Sequence, residues 1–292
     1  MLLAVPNFSE GRDRRRIEEI SGAFATGAAL LDIHSDALHN RSVVTLSAPP
    51  GEIVTPLVNG AWSCVNWIDM RKHDGAHPWV GALDVCPVVW VNEDDRDAAR
   101  DTAVATAKEI GSDLQIPVFL YGDLASQESH RERAFFRAGG LVELTRRVNT
   151  GELRPDFGPK KVHEKAGATL VTARPPLVAF NVELADADVA KAKEIASGLR
   201  ESGGGLAGVR AIGIDLGNGH MQVSTNIHDP GAVSLAAVVE RVRELAAPHG
   251  ARPAVGEIVG LVPERALEGW DGEIPLVGFD PAKHVIERRV QP

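Results

Sequence analysis

The sequence predicts an α+β fold of two ferredoxin-like α/β-sandwich subdomains whose sheets face a shared groove. Three observations carry this. Residues 177–262 read strand-helix-strand-strand-helix-strand, the order in which two helices cover one face of an antiparallel sheet. The first half approximates the same order with extra elements and no fixed-period repeat. Arg174-Pro175-Pro176 supplies a stiff joint between the halves, which sets the subdomains at 1–175 and 176–292.

Each element follows from local chemistry. LLAVP at 2–6 reads as a short buried strand, with a turn over Asn7 to Gly11. Residues 12–25 form a helix with Ile17, Ile20 and Phe24 on one face. Strands ALLDI (29–33) and SVVTLSA (42–48) follow, joined by a polar segment from His34 to Arg41. Pro49-Pro50-Gly51 precedes a helix to about Ile68, carrying Val54, Leu57, Val58, Trp62 and Val65. VCPVVWV (85–91) and PVFLY (117–121) are strands flanking a helix that begins after Asp94 and Asp95, where negative charge suits a helix start. Residues 130–148 read as one helix with alternating charges, and 149–167 as loop. Strands at 168–173, 177–183, 208–215, 220–227 and 254–262 alternate with helices at 186–200 and 233–247. With helices on one face of each sheet, the bare faces are free to line a groove, and grooves between domains are favoured ligand sites.

Composition narrows the function. The 292 residues are 44% hydrophobic and 24% charged, the balance of a globular protein able to bury a core. The formal net charge of -9 disfavours nucleic acid or an anionic membrane as partner. No stretch approaches the roughly 20 apolar residues of a membrane span, and the start MLLAVPNFSEG lacks the pattern of a signal peptide. Two cysteines, Cys64 and Cys86, in no metal-type pair, point to a cytoplasmic setting.

The chemistry concentrates in HDGAHPWVGALDVCP, residues 73–87. Two imidazoles and two carboxylates sit there among helix breakers, so they belong to a loop ahead of a strand. Histidine is the side chain best suited to moving protons near neutral pH, which makes His77 the candidate general acid/base, with Asp84 or His34 orienting it. The competing reading is a loop histidine bonded to backbone. His73 and His77 have the i, i+4 spacing of a helical metal pair, but Gly75 and Pro78 deny the helix and no HExxH accompanies them, so no metal is expected. His34, Asp36, His39, Asn40 and Arg41 emerge together between two strands, either as an ordinary polar turn or as a site where Asn40 and Arg41 hold an amino-acid carboxylate. Lys160, Lys161 and Lys165 mark a Gly- and Pro-rich segment, 154–169, that is long for a connector and contains no P-loop pattern.

Taken in order, these stretches resemble the formiminotransferase family, also called glutamate formimidoyltransferases. The matching segments are VPNFSEG (5–11), LLD followed by HNRSV (30–43), GAHPWVGALDVCP (75–87), FLYG (119–122), PDFGP…AGAT (155–169), AFNV (179–182), QVSTN (222–226) and VGLVP (259–263). The resemblance implies a homodimer, two ferredoxin-like subdomains, and transfer of a formimino group from N-formimino-L-glutamate to N5 of tetrahydrofolate during histidine degradation. It places the catalytic histidine at His77. It places the folate-contacting loop on Gly158, Pro159, Lys160, Lys161, Val162, His163, Glu164, Lys165, Ala166 and Gly167. Tetrahydrofolate is then a co-substrate, and no cyclodeaminase domain is expected. Ala76 and Trp79 stand where the family commonly has an acidic residue and an arginine. Two alternatives therefore stay open: a formyltransferase using N-formylglutamate, and a folate-binding protein without transfer activity.

Overall fold

A computed structural model describes residues 1–75, 77–217 and 219–290. The chain divides into two compact units, one from Met1 to Arg174 and one beginning at Pro175. Each unit is built on one sheet, so the class is α+β. None of the described helices is long and apolar enough to cross a membrane.

In the first unit the strands are β1 (Leu2–Ala4), β2 (Asn7–Phe8), β3 (Ala29–Asp36), β4 (Arg41–Ala48), β5 (Leu83–Trp90), β6 (Val118–Leu120) and β7 (Thr169–Arg174). The helices are α1 (Arg14–Phe24), α2 (Val54–Trp67), α3 (Arg96–Asp113), α4 (Arg133–Arg137) and α5 (Gly140–Asn149). β3 pairs with β4; β1 and β2 both lie between β4 and β5; β7 and β6 extend the sheet in parallel beyond β5.

Three local expectations are corrected here. Asn7 is not in a turn: Pro6, which has no N–H to give a ladder, interrupts a strand that resumes at Asn7 and Phe8. The polar segment from His34 is not all loop, since β3 runs to Asp36, which faces Arg41 across a four-residue turn. The single helix over 130–148 is two helices. Gly139 and Gly140 both have positive φ (74° and 69°), which only glycine adopts readily, and α4 ends before them.

Helix α1 starts where the Asp13 carboxylate accepts the Arg15 and Arg16 N–H groups at 3.0 and 3.2 Å. Its buried stripe of Ile17, Ile20 and Phe24 joins Leu57, Ala61 and Cys64 of α2 and Ala99, Ala103 and Ile110 of α3 against Val44, Leu46, Cys86 and Val88. Trp62 does not share that stripe; it is 47% exposed. A separate cluster holds Val85, Leu170 and Phe119 with Phe136 of α4 and Leu144 and Val148 of α5. The expected one-sided helix layer is therefore wrong for this unit: the broken α4–α5 segment adds a second layer of packing.

In the second unit β8 (Val178–Ala185), β9 (Val209–Asp215), β10 (Met221–Ile227), β11 (Arg252–Val259) and β12 (Leu276–Val277) line up in the order 12-11-8-10-9. Helices α6 (Val189–Leu199) and α7 (Leu235–Ala246) lie between strands in sequence, and short helices α8 (Pro281–His284) and α9 (Ile286–Arg289) follow. Val178, Phe180, Val182 and Leu184 alternate inward along β8 to meet Ile195, Leu199, Val238 and Val242. The opposite face carries Asn181, whose amide donates to Glu257 at 2.9 Å, and Glu183, paired with His220.

Candidate active site

The loop from His73 to Ala82 is placed by the turn between β3 and β4. Asn40 adopts a positive φ of 48° there, as Asn does more readily than most residues. Its Oδ1 accepts the Gly11 N–H at 2.9 Å and its Nδ2 donates to the Asp74 carbonyl at 2.8 Å, tying three segments together. Arg12 adds an ion pair to Asp74 at 2.8 Å. His73 packs edge-on against Trp79, with centroids 4.6 Å apart. Ala76 lies outside the described residues.

His77 is half-buried, and its ring faces Arg41. Arg41 Nη1 is 2.7 Å from His77 Nδ1 and also lies against Nε2, while Nη2 donates to the side-chain oxygen of Asn7. His39, held by Asp36 at 2.7 Å, meets the His77 ring edge-on with centroids 6.2 Å apart. Burial drives the His77 pKa far down, and the positive charges of Arg41, Arg137 and Arg133 add to the shift. A ring with a pKa near working pH, as expected from its residue type, is not what this environment makes: the imidazole is neutral. Burial also pushes Arg41 down to about 9, although Asp84 pulls the other way.

Asp84 is the extra residue of a β-bulge. Asn7 faces Val85 and Phe8 faces Leu83, leaving Asp84 without a partner in β2. A bulge re-aims a side chain, and this one turns a nearly inaccessible carboxylate (1% exposed) towards charged partners. Oδ1 accepts the Val80 N–H at 2.7 Å; Oδ2 pairs with Arg137 and lies 3.8 Å from Arg41 Nη1. Arg41 thus bridges Asp84 and His77. His34 stands on β3 opposite Val43; the ring that faces His77 is His39 instead.

The segment from Arg154 to Gly167 is no mobile connector. Val118 and Phe157 pair, the Leu120 N–H donates to Asp156 at 2.7 Å, and His163 and Gly167 close a turn through both backbone bonds. Gly81 pairs with Gly167, and the Ala82 and Ala168 N–H groups donate to Ala166 and Val80. Two stretches 86 residues apart are thereby laid side by side. Val162 and Ala166 are buried, Lys165 Nζ donates to the Asn66 carbonyl at 2.9 Å, and Glu164 pairs with Arg71. Gly158, Lys160 and Lys161 are exposed, with Pro159 and His163 intermediate.

Sequence reasoning named His39 without a role beside His77, and missed Asn7, Arg133 and Arg137 as site residues. The last two sit four apart in a short helix, a spacing that puts both on one face; reading 130–148 as one helix with alternating charges gave them no role.

The chain's similarity to other proteins follows this organisation. Residues 1–174 match the family model of the formiminotransferase domain, N-terminal subdomain, and residues 179–269 match that of the formiminotransferase domain. The chain belongs to the formiminotransferase family. It is 36% identical to a glutamate formimidoyltransferase of Thermoplasma acidophilum, over 98% of this chain and 96% of that one. It is 35% identical to a glutamate formimidoyltransferase of Streptococcus pyogenes serotype M1, over 98% and 97%. It is also 39% identical to the formimidoyltransferase-cyclodeaminase of Sus scrofa over 90% of this chain, but that match spans 50% of the pig protein. The positions quoted above for this formiminotransferase chain fall within the matched ranges.

Proposed function

We propose that this chain is a glutamate formimidoyltransferase, moving the formimino group of N-formimino-L-glutamate to N5 of tetrahydrofolate in histidine degradation, with His77 as general acid/base. Similarity to two glutamate formimidoyltransferases over 98% of the chain carries the reading. The residues suit such anionic, carboxylate-bearing substrates: a buried guanidinium N–H of Arg137 has no partner among the described residues, and Lys160 and Lys161 are exposed on the neighbouring loop.

In this reading His77 takes the N5 proton as the N5–carbon bond forms. It returns that proton to the glutamate nitrogen as the carbon–nitrogen bond breaks, so no proton is gained or lost overall. The ring starts neutral, which is the form a base needs. A donor carboxylate arriving at Arg41 offsets the positive field that holds the ring's pKa down, so proton uptake becomes easier once substrate is in place. Asn40 and Arg41 are assigned to the donor. Asp84 acts through Arg41 rather than on the ring directly, as a positioning residue, and His34 lies further along the same strand pair. The segment Gly158–Gly167 is assigned to tetrahydrofolate, with its fixed backbone presenting Lys160 and Lys161 to the glutamyl carboxylates.

The units are assigned as two ferredoxin-like subdomains, 1–175 and 176–292, of a cytoplasmic homodimer. Strand orders 5-(1/2)-4-3 and 11-8-10-9 support the first part, because each places the fourth strand beside the first and the second at the edge.

The test is a steady-state assay of wild type and His77→Ala with N-formimino-L-glutamate and N-formylglutamate, alongside tetrahydrofolate binding. Turnover with the formimino donor and a loss of about 10²–10⁴-fold in the variant are expected. Preference for the formyl donor, or folate binding without turnover on either, would replace this reading with one of the two alternatives.

A further inference from the structure

Among the described residues, the positive charge named around His77 exceeds the negative charge paired with it. One carboxylate, Asp84, is shared by Arg41 and Arg137, and Arg133 lies over the Tyr121 ring at 5.9 Å within the same field. Three guanidiniums against one carboxylate leave an excess of two positive charges beside a neutral imidazole. Arg41 and Arg137 have side chains only 14% and 12% exposed. Buried cations without counter-charge are costly unless an anion arrives. Arg137 carries the sharper signal: Nη2 is used by Asp84, while Nε is buried with no partner among the described residues. Helix α4 is fixed from below by Phe136, fully buried against Phe119 at 5.2 Å, so its arginines are held in place.

We infer that Arg137, supported by Arg133 one helical turn earlier, binds a carboxylate of the donor and makes α4 the element that selects an acidic donor over a neutral one. This rests on the formimidoyltransferase reading for the donor's identity. Asp84 then does more than position Arg41, because it also holds Arg137 at Nη2 and leaves the Nε N–H on the same side of the guanidinium for substrate. A guanidinium fork recognises a carboxylate by two parallel N–H bonds, which an ammonium cannot reproduce. Arg137→Lys keeps the charge but loses that fit.

The test compares wild type, Arg137→Gln and Arg137→Lys, with Arg131→Gln as a nearby exposed control. Expected for Arg137→Gln is a donor KM raised about 10–100-fold, the scale of one charge-assisted bond pair, with the folate KM within about twofold and kcat changed less than the donor KM. Arg137→Lys should recover part of the loss, and Arg131→Gln should show none. N-formimino-L-glutamine and N-formimino-L-isoglutamine, each with one carboxylate made neutral, identify which carboxylate is held. The analogue lacking that carboxylate should be equally poor for wild type and Arg137→Gln. If Arg137→Gln folds badly because Asp84 is stranded, Arg137→Gln/Asp84→Asn removes that charge and should still show the raised donor KM. An unchanged donor KM in a folded Arg137 variant overturns the inference while leaving the transferase reading intact. If wild type turns over neither donor, calorimetry with L-glutamate decides separately. Binding weakened by Arg137→Gln supports the inference, and binding that is absent in wild type or unaffected by the variant overturns it.

Discussion

The loop from His73 to Ala82 and the loop from Arg154 to Gly167 meet at Gly81 and Gly167, yet they are held by opposite means. The first is positioned largely by side chains: Asn40 and Arg12 on Asp74, Trp79 on His73, Arg41 on His77, Asp84 on the Val80 N–H. The second is positioned mostly by its backbone, through pairing at Phe157, His163, Lys165, Ala166 and Gly167, with side-chain bonds from Asp156 and Lys165 added. Charge therefore sets the environment of the imidazole, where protonation is at stake. Main-chain bonds set the other loop, at whose surface Lys160 and Lys161 are exposed. Under the proposed function, tuned electrostatics suit the first loop to proton transfer, and a rigid shelf with exposed cations suits the second to a long anionic tail.

The contrast breaks most visibly at Asp84. Asp84→Ala strands the Arg41 and Arg137 guanidiniums in a dry setting, where removal of one partner of a buried pair costs about 3–5 kcal/mol. Urea unfolding of Asp84→Ala and of Asp84→Asn checks this. A loss under about 1 kcal/mol for the alanine variant would mean the first loop does not depend on its charges. The joint between the loops comes next. Gly167 has φ 74°, and a Cβ there would come 2.3 Å from the Val80 carbonyl oxygen. Gly167→Ala is expected to cost about 1–3 kcal/mol for the backbone conformation alone, with further loss from the clash. An unchanged melting temperature would show that the second loop can shift without penalty.

How much of this is readable from the sequence differs between the two loops. Gly75, Pro78 and the paired imidazoles announce a functional loop, because breakers and titratable groups are local signals. The turn formers of 154–167 announce a loop but not its rigidity, since its bonds go to Met70, Ala82 and Val118, far away in sequence. Arg137 is hidden for the same reason: its partner Asp84 is 53 residues distant and is presented by a bulge. The depressed His77 pKa is likewise a property of assembly, since burial contributes most to it. By contrast, the stripe of Leu235, Val238, Val239 and Val242 in α7 is legible, because periodicity alone sets which face of a helix is buried. The Gly139-Gly140 break is written in the sequence and outweighed by the charge pattern around it.

A smaller effect sharpens the role of the backbone-held loop. Reversing Lys160 and Lys161 to Glu should leave folding nearly unchanged, because both are exposed. The folate KM should rise by about tenfold at low salt and by less at high salt, as screening weakens exposed charges. The donor KM should stay put. Equal effects on both substrates would mean the lysines act through the general field of the protein and not as contacts for the folate tail.

The smallest effect concerns pH, and its sign follows from the direction of one shift. Burial, helped by Arg41, Arg137 and Arg133, holds the folded His77 pKa well below the free value of 6.5. Between those two values the unfolded chain binds more protons at this position than the folded one, so stability falls as pH falls through 6.5. The contribution is fully present above 6.5. Below it, the loss grows towards about 1.4 kcal/mol for each further pH unit, so at about pH 5.5 it is on the order of 1 kcal/mol. His77→Gln cannot take up that proton and should lose less stability between about pH 7.5 and 5.5 than wild type does. Denaturant midpoints of both proteins at the two pH values measure the difference directly. Parallel losses in the two proteins would mean that His77 titrates normally in the fold, and that the guanidiniums around it are screened from its ring. Saturating L-glutamate should shrink the difference, because a carboxylate beside Arg41 and Arg137 offsets the charge that keeps the imidazole neutral.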